Sequence, residues 1–192
     1  MIEIAKEQDR MNLYRLHERA RFATDVGIHP EYARATRDSG YYEEFWGNIF
    51  NKPELAEGSL IILKAVLEEK GIVGFAVAGA ADEYGDYNRE FERLGELHQI
   101  YVSPEIKGCG VGRELYEKSA EFLSNNGYQH MIMNVLGDPS GAFNSAAAAF
   151  YESRGARVVG SVQEEKKRGD RVFSLNCPLI VQDLSPYEHS MG

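Results

Sequence analysis

Three glycines at alternate positions, Gly108, Gly110 and Gly112, stand between a segment typical of a strand and a segment typical of a helix. Because glycine has no Cβ, the backbone of such a loop can approach a bulky anion closely. The free N–H groups and the dipole at the start of a helix favour a negatively charged ligand, and a pyrophosphate would fit. The loop matches neither the Walker A nor the dinucleotide-binding pattern. On the glycines alone, a flexible turn into a helix explains the loop equally well.

The elements that position this loop follow from the spacing of apolar residues. The predicted strands are residues 1–5, 58–68, 72–80, 97–102, 130–136, 158–162 and 172–181. The predicted helices are residues 10–24, 41–50, 110–126 and 144–154. The second and third strands are expected to form an antiparallel hairpin, residues 81–95 a long surface excursion, and residues 166–170 a turn. This mixture of hairpins and strand–helix units predicts an α/β fold with helices on both faces of a mixed sheet.

Length and composition predict one domain over residues 1–184, followed by a disordered tail at 185–192. The net charge of −9 argues against nucleic-acid binding. Cys109 and Cys177 lack the spacing of a disulfide framework or a metal site, so no metal is predicted and a reducing cytoplasm is expected. The charged N-terminus and the short apolar runs predict neither a signal peptide nor contact with a membrane. A monomer and a homodimer are both compatible with the sequence.

A second motif lies in the last predicted helix, and its residues are Asn144, Ala147, Phe150, Tyr151 and Gly155. This run resembles the Asn-x-x-Ala-x-x-aromatic/Leu-Tyr-x-x-x-Gly helix of the GNAT superfamily of N-acetyltransferases. The glycine loop, Lys107-x-x-Gly110-x-Gly112, resembles the Arg/Gln-x-x-Gly-x-Gly/Ala signature of the same superfamily. The resemblance covers about residues 58–184, and it implies a GNAT-type, mostly antiparallel sheet of about seven strands.

The resemblance also implies that acetyl-CoA binds as a co-substrate, with its pyrophosphate on the glycine loop. The residues implied to bind it are Ile100, Val102, Lys107, Gly108, Cys109, Gly110, Val111, Gly112, Arg113 and Asn144. The backbone around Ile100 and Val102 would bind the acetyl oxygen and the pantetheine amides, which requires their strand to be unpaired on one side. Lys107 departs from the usual Arg or Gln, because it keeps the charge and loses the planar fork.

Glu96 is the first candidate for the base that removes the amine proton. It lies 11 residues before Lys107, at a place where the family often has a catalytic Glu. Partial burial is expected to raise the pKa of this carboxyl, so that it accepts a proton directly or through water. His98 points to the same face of the strand and is the second candidate. A surface ion pair for Glu96 and a structural histidine for His98 are the alternatives.

Tyr151 is the candidate general acid, because the resemblance implies that its hydroxyl faces the CoA sulfur and a phenol is a suitable proton donor to a thiolate. A half-buried helix aromatic is the alternative. Asn144 could hydrogen-bond the cofactor arm, cap its own helix, or do both. Cys109 lies at a helix N-terminus, which lowers a thiol pKa. No Cys–His arrangement accompanies it, so we do not predict a nucleophile there.

The sequence therefore predicts an N-acetyltransferase that moves an acetyl group from acetyl-CoA to a primary amine of a small cationic metabolite, by direct attack in a ternary complex. The acceptor is inferred from charge, because five carboxylates lie between Asp82 and Glu92 and a negative rim would concentrate a protonated amine. A merely solvated acidic loop is the alternative for this segment. The alternatives for the whole chain are a protein or peptide N-acetyltransferase and a non-catalytic sensor that binds acyl-CoA.

Overall fold

The computed structural model describes residues 1–82 and 84–184. The strands within them are β1 (Ile2–Ile4), β2 (Leu60–Leu67), β3 (Gly71–Ala80), β4 (Leu94–Val102), β5 (His130–Asn134), β6 (Arg157–Arg168) and β7 (Arg171–Asp183). The α-helices are α1 (Arg10–Asp25), α2 (Pro30–Asp38), α3 (Tyr41–Ile49), α4 (Pro53–Ala56), α5 (Tyr87–Glu90), α6 (Val111–Asn125) and α7 (Ser145–Glu152). Every predicted strand and helix is present, and α2, α4 and α5 are additional. The predicted tail at 185–192 lies outside the described residues.

The strands form one sheet of seven in the order β1-β2-β3-β4-β5-β7-β6. Neighbouring strands are antiparallel except for β4 and β5, which are parallel. The predicted mixed, mostly antiparallel sheet is therefore confirmed, as is the β2–β3 hairpin. The β4–β5 pairing covers three residue pairs and ends with Glu96 opposite Ile132. Beyond that pair the described residues of β4 and β5 do not pair with each other, so the sheet opens between these two strands.

Helices cover both faces of the sheet, as the sequence predicts. On one face, α1 and α3 pack against β2 and β3, with Leu13 and Trp46 buried against Ile62 and Phe75. On the other face, α6 packs against the alternate residues of the same strands, and buried residues of α7 belong to the same core. Buried side chains of that second core include Leu63, Ala76, Leu115, Leu123, Met133 and Ala148. No helix in the described part of the chain is long and apolar enough to cross a bilayer.

A bulge interrupts β4 at His98. Gln99 pairs with Val77 and Leu97 pairs with Ala78, so His98 has no partner on β3. A bulge adds one residue to a strand and changes the direction in which the following side chains point. Leu97 and Ile100 consequently pack on the same face, under α6, although they are three positions apart.

The structure corrects three local predictions. Residues 81–95 are not a simple surface excursion, because Tyr84 and Phe91 are buried against β5 and β7 and β4 begins at Leu94. The last two strands are longer than predicted, so residues 166–168 belong to β6 and the turn is confined to Gly169 and Asp170. Residues 135 and 136 lie beyond the end of β5.

Candidate active site

A cavity of about 650 Å³ lies where β4 and β5 separate. Its wall includes residues of all the strands from β2 to β7 and of the helices α1, α2, α3 and α7. The predicted site residues in this wall are Glu96, His98, Ile100, Asn144 and Tyr151. Residues 107–113 and Val102 do not line it. The structure therefore brings the candidate catalytic groups together in one cavity and leaves the glycine loop outside it.

Glu96 is a buried carboxylate with several hydrogen-bond donors. Only 4 % of the residue is exposed. Its Oε1 accepts a hydrogen bond from the Tyr84 hydroxyl at 2.7 Å, and its Oε2 accepts one from the backbone N–H of Asp82 at 3.0 Å. His98 Nδ1 lies 3.4 Å from Glu96 Oε1. The two sequence candidates for the base are therefore one interacting pair.

The pKa of Glu96 is lowered, so the expected raised pKa is wrong. Burial by itself raises the pKa of this carboxyl, but His98 and the two hydrogen-bond donors outweigh burial. The pKa of His98 moves the other way. Burial lowers it, and the contact with Glu96, helped by the charge of Asp82 and opposed by Lys52, raises it above the ordinary value. Glu96 is thus held as the anion, and His98 is the group of the pair that changes protonation nearer neutral pH.

Tyr151 lies in α7 and is 7 % exposed, yet its side chain lines the cavity. Burial, with a smaller effect of Tyr116, raises the pKa of its phenol. Tyr151 is therefore protonated at neutral pH. Its hydroxyl makes no hydrogen bond to any of the described residues. A protonated hydroxyl without a protein acceptor is free to donate to a ligand in the cavity.

Asn144 caps α7. Its Oδ1 accepts a hydrogen bond from the backbone N–H of Ala147 at 3.1 Å, which satisfies one of the free donors at the start of the helix. The capping role that the sequence allows is therefore confirmed. Asn144 also lines the cavity, and its contact with a cofactor stays a prediction.

The glycine loop has the backbone geometry of a cradle. Gly108 and Gly110 have φ angles of 87° and 82°, a conformation that disfavours residues with a Cβ. No atom lies within 4 Å of the position that a Cβ would take at either glycine, so the loop faces open space. The first hydrogen bond of α6 runs from Glu114 N to Gly110 O, at 3.0 Å. The three amides of residues 111–113 have no acceptor within the helix, and they suit a pyrophosphate.

The side chains around this loop differ in their exposure and in their ion pairs. Lys107 and Cys109 are exposed, and Val111 is buried in the core. Arg113 is exposed as well, with its Nε 2.7 Å from Glu117 Oε1 one turn along the helix. Of the two basic side chains, Arg113 and Lys107, only Lys107 makes no ion pair in the described part of the chain.

Sequence reasoning missed several charged residues of the cavity. Arg21 and Asp25 enter the wall from α1, and Lys166 and Arg168 enter from β6. The basic run before Gly169 is typical of a turn, so the sequence did not indicate that Lys166 and Arg168 belong to a strand and line the cavity. The alternation of half-buried and exposed residues along β6 was the available signal, because Glu164, Lys166 and Arg168 share one face of that strand.

The chain matches a known family. The profile of the acetyltransferase (GNAT) family matches residues 12–156 of this chain. The chain belongs to the GNAT family. The matched region contains most of α1, the glycine loop and the α7 motif, so the resemblance drawn from the two motifs is confirmed. The predicted class, an acetyl-CoA-dependent N-acetyltransferase, is confirmed at the level of this GNAT family.

Individual GNAT relatives differ in how much of the chain they share. Thialysine N-epsilon-acetyltransferase of Sus scrofa is 31 % identical over 163 residues, 82 % of this chain and 84 % of that protein. Mycothiol acetyltransferase of Amycolatopsis mediterranei is 36 % identical over 64 residues, 33 % of this chain. The chain spans 20 % of the length of that mycothiol acetyltransferase.

Solved GNAT structures confirm the fold. A phosphinothricin acetyltransferase of Sinorhizobium meliloti, in complex with acetyl-CoA, superposes with a TM-score of 0.67 at 19 % identity, over 98 % of this chain and 94 % of that one. The PaiA N-acetyltransferase of Thermoplasma acidophilum, in complex with coenzyme A, gives a TM-score of 0.65 at 16 % identity, over 95 % and 98 %. At these identities the likeness concerns the fold.

Proposed function

We propose that this protein transfers the acetyl group of acetyl-CoA to the primary amine of a small molecule, by direct attack in a ternary complex. The observation that carries the proposal is the opening between β4 and β5, where the His98–Glu96 pair and Tyr151 line one cavity. A direct attack needs two substrates held in contact and a route for protons, and it needs no nucleophile on the protein.

Acetyl-CoA would supply the acetyl thioester. The cradle of Gly108 and Gly110 and the amides at the start of α6 would hold its pyrophosphate, with Lys107 nearby as a counter-charge. The backbone of Ile100 and Val102 lies in the part of β4 that has no partner on β5, so it is available for the acyl arm. The fit of the loop to an anion supports this placement.

His98 is proposed as the base, and Glu96 as the residue that positions it. Neutral His98 takes a proton from the amine, and the ionised Glu96 carboxylate orients the imidazole and stabilises the imidazolium. The nitrogen–carbon bond then forms and the carbon–sulfur bond breaks, and the Tyr151 hydroxyl gives its proton to the leaving thiolate. The nitrogen loses its second surplus proton to water, which leaves the amide. Exchange with solvent then restores both groups.

A cationic amine is proposed for the acceptor because its ammonium group would meet negative charge at the His98 end. Fewer carboxylates support this proposal than the sequence suggests. Of the carboxylates at 82 and 84–92 that the structure describes, only Asp82 lines the cavity. Asp86 pairs with Arg89 on the surface at 3.4 Å. The negative charge near the base therefore comes from Asp82 and Glu96 rather than from an extended rim.

A mass-spectrometric survey tests the proposal. The protein is incubated with acetyl-CoA and either a panel of small primary amines or a panel of peptides with free N-termini and lysines. We expect acetylated small amines, formed in amounts equal to the CoA thiol released. Acetylated peptides without acetylated small amines would assign the chain to the peptide alternative. Binding of acetyl-CoA without any acetylated product would assign it to the sensor alternative.

A further inference from the structure

Arg21 brings a buried guanidinium into the cavity wall. The residue is 9 % exposed, and its Nε donates to Asp25 Oδ2 at 2.9 Å. Its Nη1 donates to the Tyr41 hydroxyl at 3.1 Å, and its Nη2 donates to the Tyr32 hydroxyl at 3.3 Å. A guanidinium has five N–H donors. Two of the five donors of Arg21 therefore remain for a ligand.

Arg168 approaches the same two tyrosines from β6. Its Nη2 donates to the Tyr32 hydroxyl at 2.8 Å, and its guanidinium carbon lies 4.3 Å from the centre of the Tyr41 ring. Its Nε donates to Thr36 Oγ1 at 3.2 Å, and its Nη1 donates to the Lys167 carbonyl oxygen at 2.8 Å. These bonds use three of its donors, and two Nη hydrogens remain.

The charges around these two arginines do not balance. Asp25 pairs with Arg21, and Glu164 Oε2 lies 2.9 Å from Lys166 Nζ on the same face of β6 as Arg168. In the part of the chain that the structure describes, no carboxylate oxygen lies within 4.0 Å of the Arg168 guanidinium. Two guanidinium groups that share one phenol oxygen repel each other, and the repulsion grows as water is excluded. An anion placed between their free donors would relieve it.

We infer that the amine acceptor carries an anionic group, a carboxylate, sulfonate or phosphate, which Arg168 and Arg21 bind in the acceptor cavity. This inference rests on the proposed function, since it assigns the acceptor that the cavity takes. The paired N–H groups of arginine match the oxygens of such anions in a two-point contact. The ammonium group of the same molecule lies toward Asp82, Glu96 and His98. The acceptor class is therefore a small zwitterion rather than a simple cation.

The anion belongs to the acceptor rather than to the phosphates of acetyl-CoA. The loop that fits a pyrophosphate, residues 107–113, does not line this cavity. The two arginines come from α1 and β6, and they contact Tyr32 and Tyr41 of α2 and α3. The proposed anion site and the glycine loop are therefore formed by different elements.

The test compares acceptors that differ only in the anionic group. Lysine is compared with cadaverine, β-alanine with β-alaninamide, and phosphoethanolamine with ethanolamine. In the wild type, we expect kcat/KM for the anionic member to exceed that of its partner by about tenfold or more in at least one pair. Which pair shows it distinguishes a carboxylate from a phosphate. The absence of such a preference in every pair would overturn the inference and leave amine acetylation itself intact.

Arg168→Gln and a matched control locate the effect. We expect Arg168→Gln to lower kcat/KM of the preferred acceptor with an anionic group by about 10- to 100-fold, and to change kcat/KM of its partner without that group by less than about threefold. Arg171→Gln is the control, because Arg171 lies on the next strand, is exposed, and pairs with Glu31 at 2.6 Å outside the cavity. It is expected to match the wild type. Equal losses for both members of a pair in Arg168→Gln would contradict the inference.

A binding measurement separates this inference from the proposed function. Glutarate has no amine to acetylate, so a saturable rise in the melting temperature with glutarate reports the anion site alone. We expect the rise in the wild type and in Arg171→Gln, and its loss in Arg168→Gln. If Arg168→Gln does not fold, Arg168→Lys keeps the charge without the fork, and a weakened glutarate response is expected. Absence of any response to glutarate in the wild type would overturn the anion site, whether or not amines are acetylated.

Discussion

His98 Nδ1 lies 3.4 Å from Glu96 Oε1, and Glu96 is the more buried member of this pair, with 5 % of its side chain exposed against 21 % for His98. The two groups shift each other's pKa in opposite directions, down for Glu96 and up for His98. The carboxylate therefore stays charged over the range in which the imidazole titrates. This relationship supports the proposal that His98 transfers the proton and that Glu96 orients it.

The first prediction concerns the pH profile of kcat/KM. His98 accepts the amine proton only when it is neutral, so kcat/KM should rise with pH through a limb whose apparent pKa lies above the ordinary histidine value of about 6.5. In Glu96→Gln the imidazole loses the charge that raises its pKa, and the limb should move to lower pH. In His98→Gln the limb should disappear. Initial rates of thiol release between pH 5 and pH 9, about the range where these limbs fall, measure all three.

The alternative assignment gives a different pattern. If Glu96 itself removes the proton, the limb should vanish in Glu96→Gln and persist in His98→Gln. A limb that neither substitution alters would mean that the amine loses its proton to bulk water before it binds.

The second prediction concerns Tyr151→Phe. Removal of the hydroxyl takes away the proton donor for the thiolate, so kcat should fall by about 10²- to 10⁴-fold while KM for acetyl-CoA changes little. Tyr116→Phe is the matched control, because Tyr116 is also buried, its ring lies 5.9 Å from that of Tyr151, and it is outside the cavity. Steady-state kinetics with a poor amine keep chemistry rate-limiting. Similar kcat values for the two variants would show that Tyr151 packs in the core and does not donate a proton.

The third prediction concerns the glycine cradle. Gly110→Ala places a Cβ at a φ of 82° and into the space that faces the proposed pyrophosphate. Gly58→Ala is the control, since Gly58 has a φ of 76° and equally open surroundings far from the loop in sequence. Each substitution should lower the free energy of unfolding by about 1 kcal/mol through backbone strain. Only Gly110→Ala should weaken the binding of acetyl-CoA, which is measured by the shift in melting temperature as acetyl-CoA is added. An unchanged shift in Gly110→Ala would place the phosphates elsewhere.

The fourth prediction concerns His17, which is fully buried beneath the aromatic rings of α3 and β3. Neither ring nitrogen has a hydrogen-bond partner of ordinary geometry among the described residues. Burial, assisted by the charge of Arg21 and opposed in part by Gln99, lowers the pKa of this imidazole well below its ordinary value. The folded protein keeps His17 neutral, while the unfolded chain binds a proton below pH 6.5, the ordinary value.

The free energy of unfolding should therefore decrease as the pH is lowered below about 6.5, because the unfolded state binds more protons than the folded state. His17→Phe removes the group that binds a proton in the unfolded chain, and it keeps an aromatic ring at this position. Between about pH 7 and pH 5, the variant should lose about 2 kcal/mol less unfolding free energy than the wild type. Urea unfolding at the two pH values measures the difference. Parallel losses in the two proteins would show that His17 is protonated in the folded state.

Much of the fold follows from local patterns in the sequence. The alternation of apolar residues predicts the β2–β3 hairpin, and the glycines at 108–112 and 127 bracket α6 as the structure has it. The helix α2 is the main omission. Pro30 indicates a turn when read alone, but it occupies the first turn of α2, where proline is favoured, and His29 Nδ1 accepts a hydrogen bond from Tyr32 N at 3.4 Å.

Other features of the site depend on contacts that no local pattern contains. The bulge at His98 and the end of β4–β5 pairing at Glu96 arise from how three strands meet. His98 contributes most to the lowered pKa of Glu96, and Asp82 and Tyr84 add smaller effects. Tyr84 reaches the carboxylate from a segment that the sequence indicates as polar surface. Arg21 and Arg168 are 147 positions apart in the chain, so only the folded structure places them on the same tyrosines.

The most direct test of the account is the release of CoA thiol from acetyl-CoA in the presence of a primary amine, compared between the wild type and the His98→Gln and Tyr151→Phe variants. We predict release that depends on the amine, matches the acetylated product in amount, and falls by about 10²-fold or more in each variant. The three proteins should show equal shifts in melting temperature with acetyl-CoA. Amine-dependent release that both variants retain at the wild-type rate would contradict the assigned site. A saturable acetyl-CoA shift without release for any amine would contradict the enzyme assignment itself.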